Sequence, residues 1–199
     1  MGQPLPADDL DPALLDAQEA MQDALLLERV LHGDAEAYGR LVSRHMRRAF
    51  AVAYRILQHR EDAEDVVQDS FIRALERIDQ LQRGRPFRPW LLRIVVNRAL
   101  NFRRGRTLRL TEPIPDSAAA PGGAPDRSAE RADLRAHLSR ALAALPEKQR
   151  TIVQLADLEN LTSAEIGEIM ELSDGTVRWH LHEARKALRL SLAPVREDT

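Results

Sequence analysis

A chain of 199 residues, 44% of them apolar and only 4% aromatic, has room for one or two small globular domains. It contains no cysteine, which excludes disulfides, thiolate metal sites and cysteine nucleophiles and is what a reducing cytoplasm would allow. The net charge of −2 conceals a strong polarity along the chain, and no apolar run is long enough for a signal peptide or a membrane insertion.

The first 24 residues carry six acids (Asp8, Asp9, Asp11, Asp16, Glu19, Asp23) and no Lys or Arg. Residues 1–24 therefore read as an acidic tail, disordered or loosely helical. From Leu25 the pattern is helical, with breaks at His32-Gly33-Asp34, Gln58-His59-Arg60 and Arg83-Gly84-Arg85-Pro86, and residues 25–105 read as a first domain. Within it DAEDVVQDSFIRALERI, from Asp62 to Ile78, buries Val67, Phe71, Ala74 and Ile78. Its other face sets Glu61, Asp65, Gln68, Asp69 and Glu76 around an outward Ile72. An acidic face with an apolar centre suits docking on a basic partner helix, although such faces are also found simply solvated.

Between Asp79 and Glu112 stand nine arginines (83, 85, 88, 93, 98, 103, 104, 106, 109) and no acid, the electrostatic footprint of a polyanion partner. The helix WLLRIVVNRALNFRR, from Trp90 to Arg104, is expected to bury Leu91, Val95, Ala99 and Phe102. Arg93, Asn97, Asn101 and Arg104 share the opposite side, with Trp90 beginning it and Arg98 on its flank. Guanidiniums for phosphates, carboxamides for base edges and an aromatic ring make a nucleic-acid surface. The alternative is an ordinary polar face.

Residues 106–129 include EPIPDSAAAPGGAPDRS, too rich in Pro, Gly, Ala and Ser for a core, and read as a flexible linker. A second helical block, 130–193, precedes a short tail at 194–199, and Pro146 suits the first position of a helix. In LTSAEIGEIMEL, Thr162 and Glu165 form a capping box and Ile166 and Ile169 mark an inner face. Ser173 is placed to cap the next helix, SDGTVRWHLHEARKAL. Val177, Leu181, Ala184 and Leu188 lie on its buried stripe, whereas Trp179 and Lys186 lie opposite, flanked by Thr176, His182 and Glu183. Two short helices joined by a tight turn form a helix-turn-helix, whose second helix enters the major groove. Trp179 would then touch thymine methyls or sugar; otherwise it packs on another helix or a neighbouring subunit. The fold class is all-α: two small helical domains joined by a flexible linker, without strands or internal repeats.

No catalytic constellation, metal cluster or cofactor motif emerges. His180 and His182 point to different faces of a helix, and His32, His45, His59 and His137 are isolated and read as surface or cap residues. The acidic cluster Asp62, Glu64, Asp65 and Asp69 lacks the glycine and spacing of a calcium loop, and there is no phosphate-binding glycine loop.

The segments GDAEAYGRLVSRH, EDAEDVVQDSFIRAL, FRPWLLRIVVNRAL and ALAALPEKQRTIVQLADLENLTSAEIGEIMELSDGTVRWHLHEARKAL occur in this order. Together they resemble the two conserved domains of bacterial RNA polymerase sigma factors of the extracytoplasmic function (ECF) group, in the sigma-70 family. The resemblance implies a non-catalytic, cytoplasmic specificity subunit that directs core RNA polymerase to promoters, here of a stress or envelope-signal regulon. Asp65, Gln68, Asp69 and Ile72 would dock on the clamp helices of the largest subunit. Arg88, Trp90, Arg93, Asn97, Arg98, Asn101 and Arg104 would engage the −10 element. Thr176, Arg178, Trp179, His182, Glu183 and Lys186 would read the −35 element near the polymerase flap. An anti-sigma factor would be a further partner, and the acidic tail would shield the arginine block from DNA until polymerase binds.

The chain departs from the family pattern at four places. Glu171 replaces the usual turn glycine; a left-handed glutamate costs about 1 kcal/mol, so a different turn is expected. Asn160 stands where glycine is common, and Asn101 where aspartate is frequent. RWHLHEAR replaces a pattern of small residues and arginine, which implies an altered −35 preference. A competing reading is a sigma-like decoy that binds an anti-sigma factor without acting at promoters, which degenerate DNA faces would favour. A conventional helix-turn-helix repressor would lack its dimerisation or ligand domain.

Overall fold

The computed structural model describes residues 12–82, 84–109 and 128–192, and every regular element among them is helical. They divide into two compact units, one ending at Leu100 and the other beginning at Asn101. Most of the proposed linker, the extreme N-terminus and the C-terminal tail lie outside the described residues.

The first unit is built from α1 (Pro12–Leu31), α2 (Ala35–Leu57), α3 (Arg60–Glu76), one 3-10 turn (Ile78–Gln80) and most of α4 (Phe87–Arg109). Local chemistry sets each boundary. Gly33 turns the chain at φ 87, and Asp34 caps α2 by accepting from the Ala37 N–H at 3.0 Å. That hydrogen bond, with help from Arg29, holds the Asp34 carboxyl below the usual aspartate value. Gln58 closes α2 in the left-handed conformation at φ 54, and His59 caps α3, its Nδ1 accepting from Asp62 N at 3.4 Å.

The core is the meeting of three apolar stripes. Leu41, Ala49, Val52 and Ala53 of α2 face Val66, Val67, Phe71 and Ala74 of α3, and α4 contributes Phe87, Leu91, Leu92, Val95, Val96 and Ala99, all buried. Phe102, expected on the inner stripe of α4, is instead 39% exposed. The inner face is carried by Leu92, Val96 and Leu100 beside Leu91, Val95 and Ala99, a wider band than a single heptad-like stripe. The Tyr38 hydroxyl donates to the Phe71 carbonyl, tying α2 to α3; burial pushes this phenol up to about 12.

Residues 12–24 are not a tail. They form the first two-thirds of α1, and their acids point into the unit. Asp23, 1% exposed, accepts from Arg44 at 2.8 Å and pairs with His45 Nε2 at 2.7 Å. Glu19 takes Arg48 at 3.0 Å on both carboxylate oxygens, and Asp16 takes Arg88 in a two-pronged pair at 2.6 and 3.2 Å. His45 is therefore neither a surface nor a cap residue: it is 1% exposed, lodged between α1 and the Phe87 ring, 5.2 Å away between centroids. A run of acids without bases looks solvated in sequence because its cations lie in other helices. Removing residues 1–24 would cut α1 in two rather than strip a shield.

The second unit contains α5 (Ser128–Ala144), α6 (Glu147–Asp157), α7 (Ser163–Met170) and α8 (Asp174–Leu192). Helix α8 packs against the other three. Its Val177, Leu181 and Ala184 join Ile152, Val153 and Leu155 of α6, Ile166 and Ile169 of α7, and Ala141 of α5 in one apolar core. Leu188 is only half-buried, where α8 runs past its neighbours. Pro146 precedes α6 as its N-cap, one position earlier than expected. Asn160 adopts the left-handed conformation at φ 52.

The capping box is present: Thr162 Oγ1 accepts from Glu165 N at 3.2 Å and Glu165 Oε2 accepts from Thr162 N at 2.8 Å. Ser173 caps α8 through Thr176 N at 3.2 Å. The turn between α7 and α8 is not altered by Glu171, which simply takes the left-handed conformation, φ 56 and ψ 47. Leu172 N donates back to Gly167 O at 2.9 Å, the six-to-one bond of a Schellman turn. The glutamate thus carries the strain, with its charge at a helix C-terminus. Glu171→Gly is expected to stabilise the second unit by about 1 kcal/mol, read as a higher urea midpoint at unchanged slope; a lower midpoint would show that Glu171 makes a compensating contact.

Candidate nucleic-acid and polymerase-docking surfaces

On α3, Asp65 and Gln68 are exposed and Ile72 is 51% exposed, so three of the four docking residues share an open face. Asp69 behaves differently. Its Oδ2 takes Arg73 Nε at 3.0 Å from the next turn of α3, and the same oxygen is paired with Arg98 of α4. Beside this face runs an apolar groove between α2 and α3, lined by Tyr38, Met46, Phe50, Phe71, Ile72 and Leu75. Met46 and Leu75, 40% and 46% exposed, were not singled out in the sequence. Their signal was an apolar side chain on the polar side of an amphipathic helix.

Along α4, Arg93, Asn101 and Arg104 are exposed and Trp90 and Asn97 half-buried, so these five occupy the outward side as the helical period requires. Trp90 leans on Phe87, ring centroids 5.9 Å apart, which fixes the indole at the start of the face. The other two arginines are engaged elsewhere. Arg88 lies under α1, its side chain 12% exposed, paired with Asp16 and 3.7 Å from Glu19. Arg98 is bent toward α3 and Asp69. The basic block that meets no acid in the sequence thus meets Asp16, Glu19 and Asp69 in space, and its Arg103 pairs with Glu147.

On α8, Arg178, Trp179, His182 and Lys186 are exposed, and Thr176 and Glu183 half-buried. Trp179 keeps 57% of its surface open at the centre of this side. Its ring stands on the edge of His180, 65° apart in plane and 4.8 Å between centroids. Sequence reasoning missed that buttress, because His180 lies one residue off the outward stripe. Burial and the nearby Lys148 hold the His180 imidazole below its usual value. Arg178 pairs with Asp174 one turn back at 2.8 Å, and His182 lies 3.2 Å from Glu183. Thr176 is tied to the cap, its Oγ1 2.8 Å from Ser173 Oγ. An exposed indole flanked by cationic and hydrogen-bonding groups, on the second helix of a helix-turn-helix, can reach base edges and phosphates together.

The order of these surfaces along the chain is matched by two family descriptions, Sigma-70 region 2 over residues 41–109 and Sigma-70 region 4 over residues 135–188. The ECF RNA polymerase sigma factor SigW of Bacillus subtilis is 30% identical over 176 residues, covering 83% of this chain and 94% of the relative. The chain belongs to the ECF family of RNA polymerase sigma factors. The ECF RNA polymerase sigma-E factor of Escherichia coli K12 is 32% identical over 187 residues, 89% of this sigma factor and 97% of that one. Among solved structures, CnrH in complex with the cytosolic domain of CnrY superposes with a TM-score of 0.64 at 26% identity, covering 89% and 99% of the two chains. The sigma factor RpoE of Bartonella quintana, in complex with the anti-sigma factor NepR, shares the fold at a TM-score of 0.64 and 22% identity, over 80% and 98%. No described helix of the sigma factor is long and apolar enough to cross a membrane.

Proposed function

We propose that this sigma factor directs core RNA polymerase to its promoters by dividing the task among three helices. The exposed part of α3, Asp65, Gln68 and Ile72, docks on the polymerase clamp helices. The outward side of α4, with Trp90, Arg93, Asn97, Asn101 and Arg104, engages the opened −10 element, where a splayed base can be stacked and read on its edges. Helix α8 reads the −35 duplex through Thr176, Arg178, Trp179, His182, Glu183 and Lys186. Catalysis stays with the polymerase. An anti-sigma factor is the regulator this reading calls for; the sigma factor RpoE of Bartonella quintana, of the same fold, was solved with the anti-sigma factor NepR.

The observation that carries the proposal is Trp179, a large ring held open and braced at the centre of the recognition helix. The test is reconstituted transcription from fragmented genomic DNA with core polymerase and the full chain, with start sites sequenced. Discrete starts sharing −35 and −10 elements are expected. Trp179→Ala should weaken binding to those promoters by about 1–3 kcal/mol, roughly fivefold to 150-fold, and Glu183→Ala should shift the preferred −35 sequence. Stable core binding without any discrete start would refute the promoter role.

A further inference from the structure

Trp179 and His180 are consecutive on α8, about 100° apart around its axis, yet their rings meet. The centroids are 4.8 Å apart and the planes 65° apart, the edge-on arrangement that aromatic pairs prefer. The two rings sit in different surroundings. Trp179 is 57% exposed, whereas His180 is half-buried with Lys148 of α6 close by. His180 Nδ1 is buried and meets no hydrogen-bond partner among the described residues. That nitrogen therefore does not hold the imidazole in place; packing does, and the indole stands against the packed ring.

We infer that His180 is a positioning residue for the −35 contact, setting which part of the Trp179 indole faces the base pairs. An exposed tryptophan turns about two side-chain torsions, and each setting presents a different edge or face. With the His180 ring on one side, the settings that swing the indole across it are closed. Arg178 and Lys186 are exposed on the same helix and supply charge. Contacts to phosphate carry affinity without base information, so discrimination falls to the groups that reach base edges. Loss of the His180 ring thus costs discrimination and spares affinity. The argument rests on the proposed reading of α8 as the −35 helix.

The decisive experiment is a double-mutant cycle in the full chain. Holoenzyme is scored on a mapped promoter whose −35 positions are varied one at a time, beside binding of the chain to a fluorescein-labelled duplex of scrambled sequence. Trp179→Ala should flatten the base preference at the positions its ring reads. His180→Ala should flatten the same positions by about threefold to tenfold, and the double variant should be no flatter than Trp179→Ala alone. His180→Phe, which keeps a ring beside the indole, should keep the preference. Binding of His180→Ala to the scrambled duplex should be unchanged. With fluorine-labelled tryptophan, the Trp179 resonance should move in His180→Ala while that of Trp90, the other tryptophan of the chain, stays in place. Undiminished preference in His180→Ala, or effects of the two substitutions that simply add, would overturn the inference. So would an equal loss on the scrambled duplex, which would mark His180 as merely structural. Failure of the underlying reading looks different: Trp179→Ala would then leave the preference at every −35 position as it is.

Discussion

Asp23→Ala is expected to destabilise the first unit by about 3–5 kcal/mol, the loss seen when one member of a buried ionic cluster is removed and its partners stay. Asp23 is 1% exposed and serves two partners, Arg44 at 2.8 Å and His45 Nε2 at 2.7 Å. Arg44 can turn toward solvent, since its side chain is 30% exposed. His45 has no such escape: it is sealed under α1, and its Nδ1 already lacks a hydrogen-bond partner. A domain of this size has about 5–15 kcal/mol in total, so thermal unfolding should move down by more than about 10 °C. Glu36→Ala is the control. Its pair with Arg40 is 71% and 59% exposed at the side chains and spans one helical turn, so it should shift stability by less than about 0.5 kcal/mol. A melting curve for Asp23→Ala that overlays the parent would mean that α1 is not docked as described.

The second large effect is expected in the turn of the helix-turn-helix. A Cβ placed on Gly167 would stand 2.7 Å from the Leu172 carbonyl oxygen, a backbone atom that cannot swing away. Gly167 O also receives the Leu172 N–H at 2.9 Å, so the backbone is pinned against this residue from both sides of the turn. Gly167→Val would force α7 and the start of α8 apart, at a cost of about 3 kcal/mol or more. Initiation that depends on the −35 element should fall at least tenfold, whereas competition for core polymerase, which we propose is carried by α3, should persist. Equal loss of both activities would show that the variant unfolds the whole chain and that the two units are not independent.

Much of this was legible from residues because the rules that apply are short-ranged. Thr162, Glu165 and Ser173 cap helices through partners three residues away, and Val177, Leu181 and Ala184 follow from the helical period. The outward placement of Trp179, Ile72 and Arg93 is the same rule read from the other side. What escaped is long-ranged. Asp16, Glu19 and Asp23 looked like a solvated run because their cations are 21 to 72 residues downstream. The engagement of Arg88 by Asp16 and the burial of His45 beside Asp23 are two consequences of one unseen packing partner, α1. Phe102 failed differently. A single stripe was assumed for α4, but a helix packed on several neighbours buries a broader arc, and its far end emerges from cover.

The acids of α1 also impose a schedule on synthesis. Asp23 and Glu19 find Arg44, His45 and Arg48 within 21 to 29 residues, so these pairs need only α1 and α2. Asp16 must wait for Arg88, 72 residues later, a delay of roughly 4–14 s at ordinary elongation rates. During that interval His45 has its carboxylate but not yet its Phe87 lid. Arrival of α4 supplies the Asp16–Arg88 pair and the Phe87 cover of His45 together.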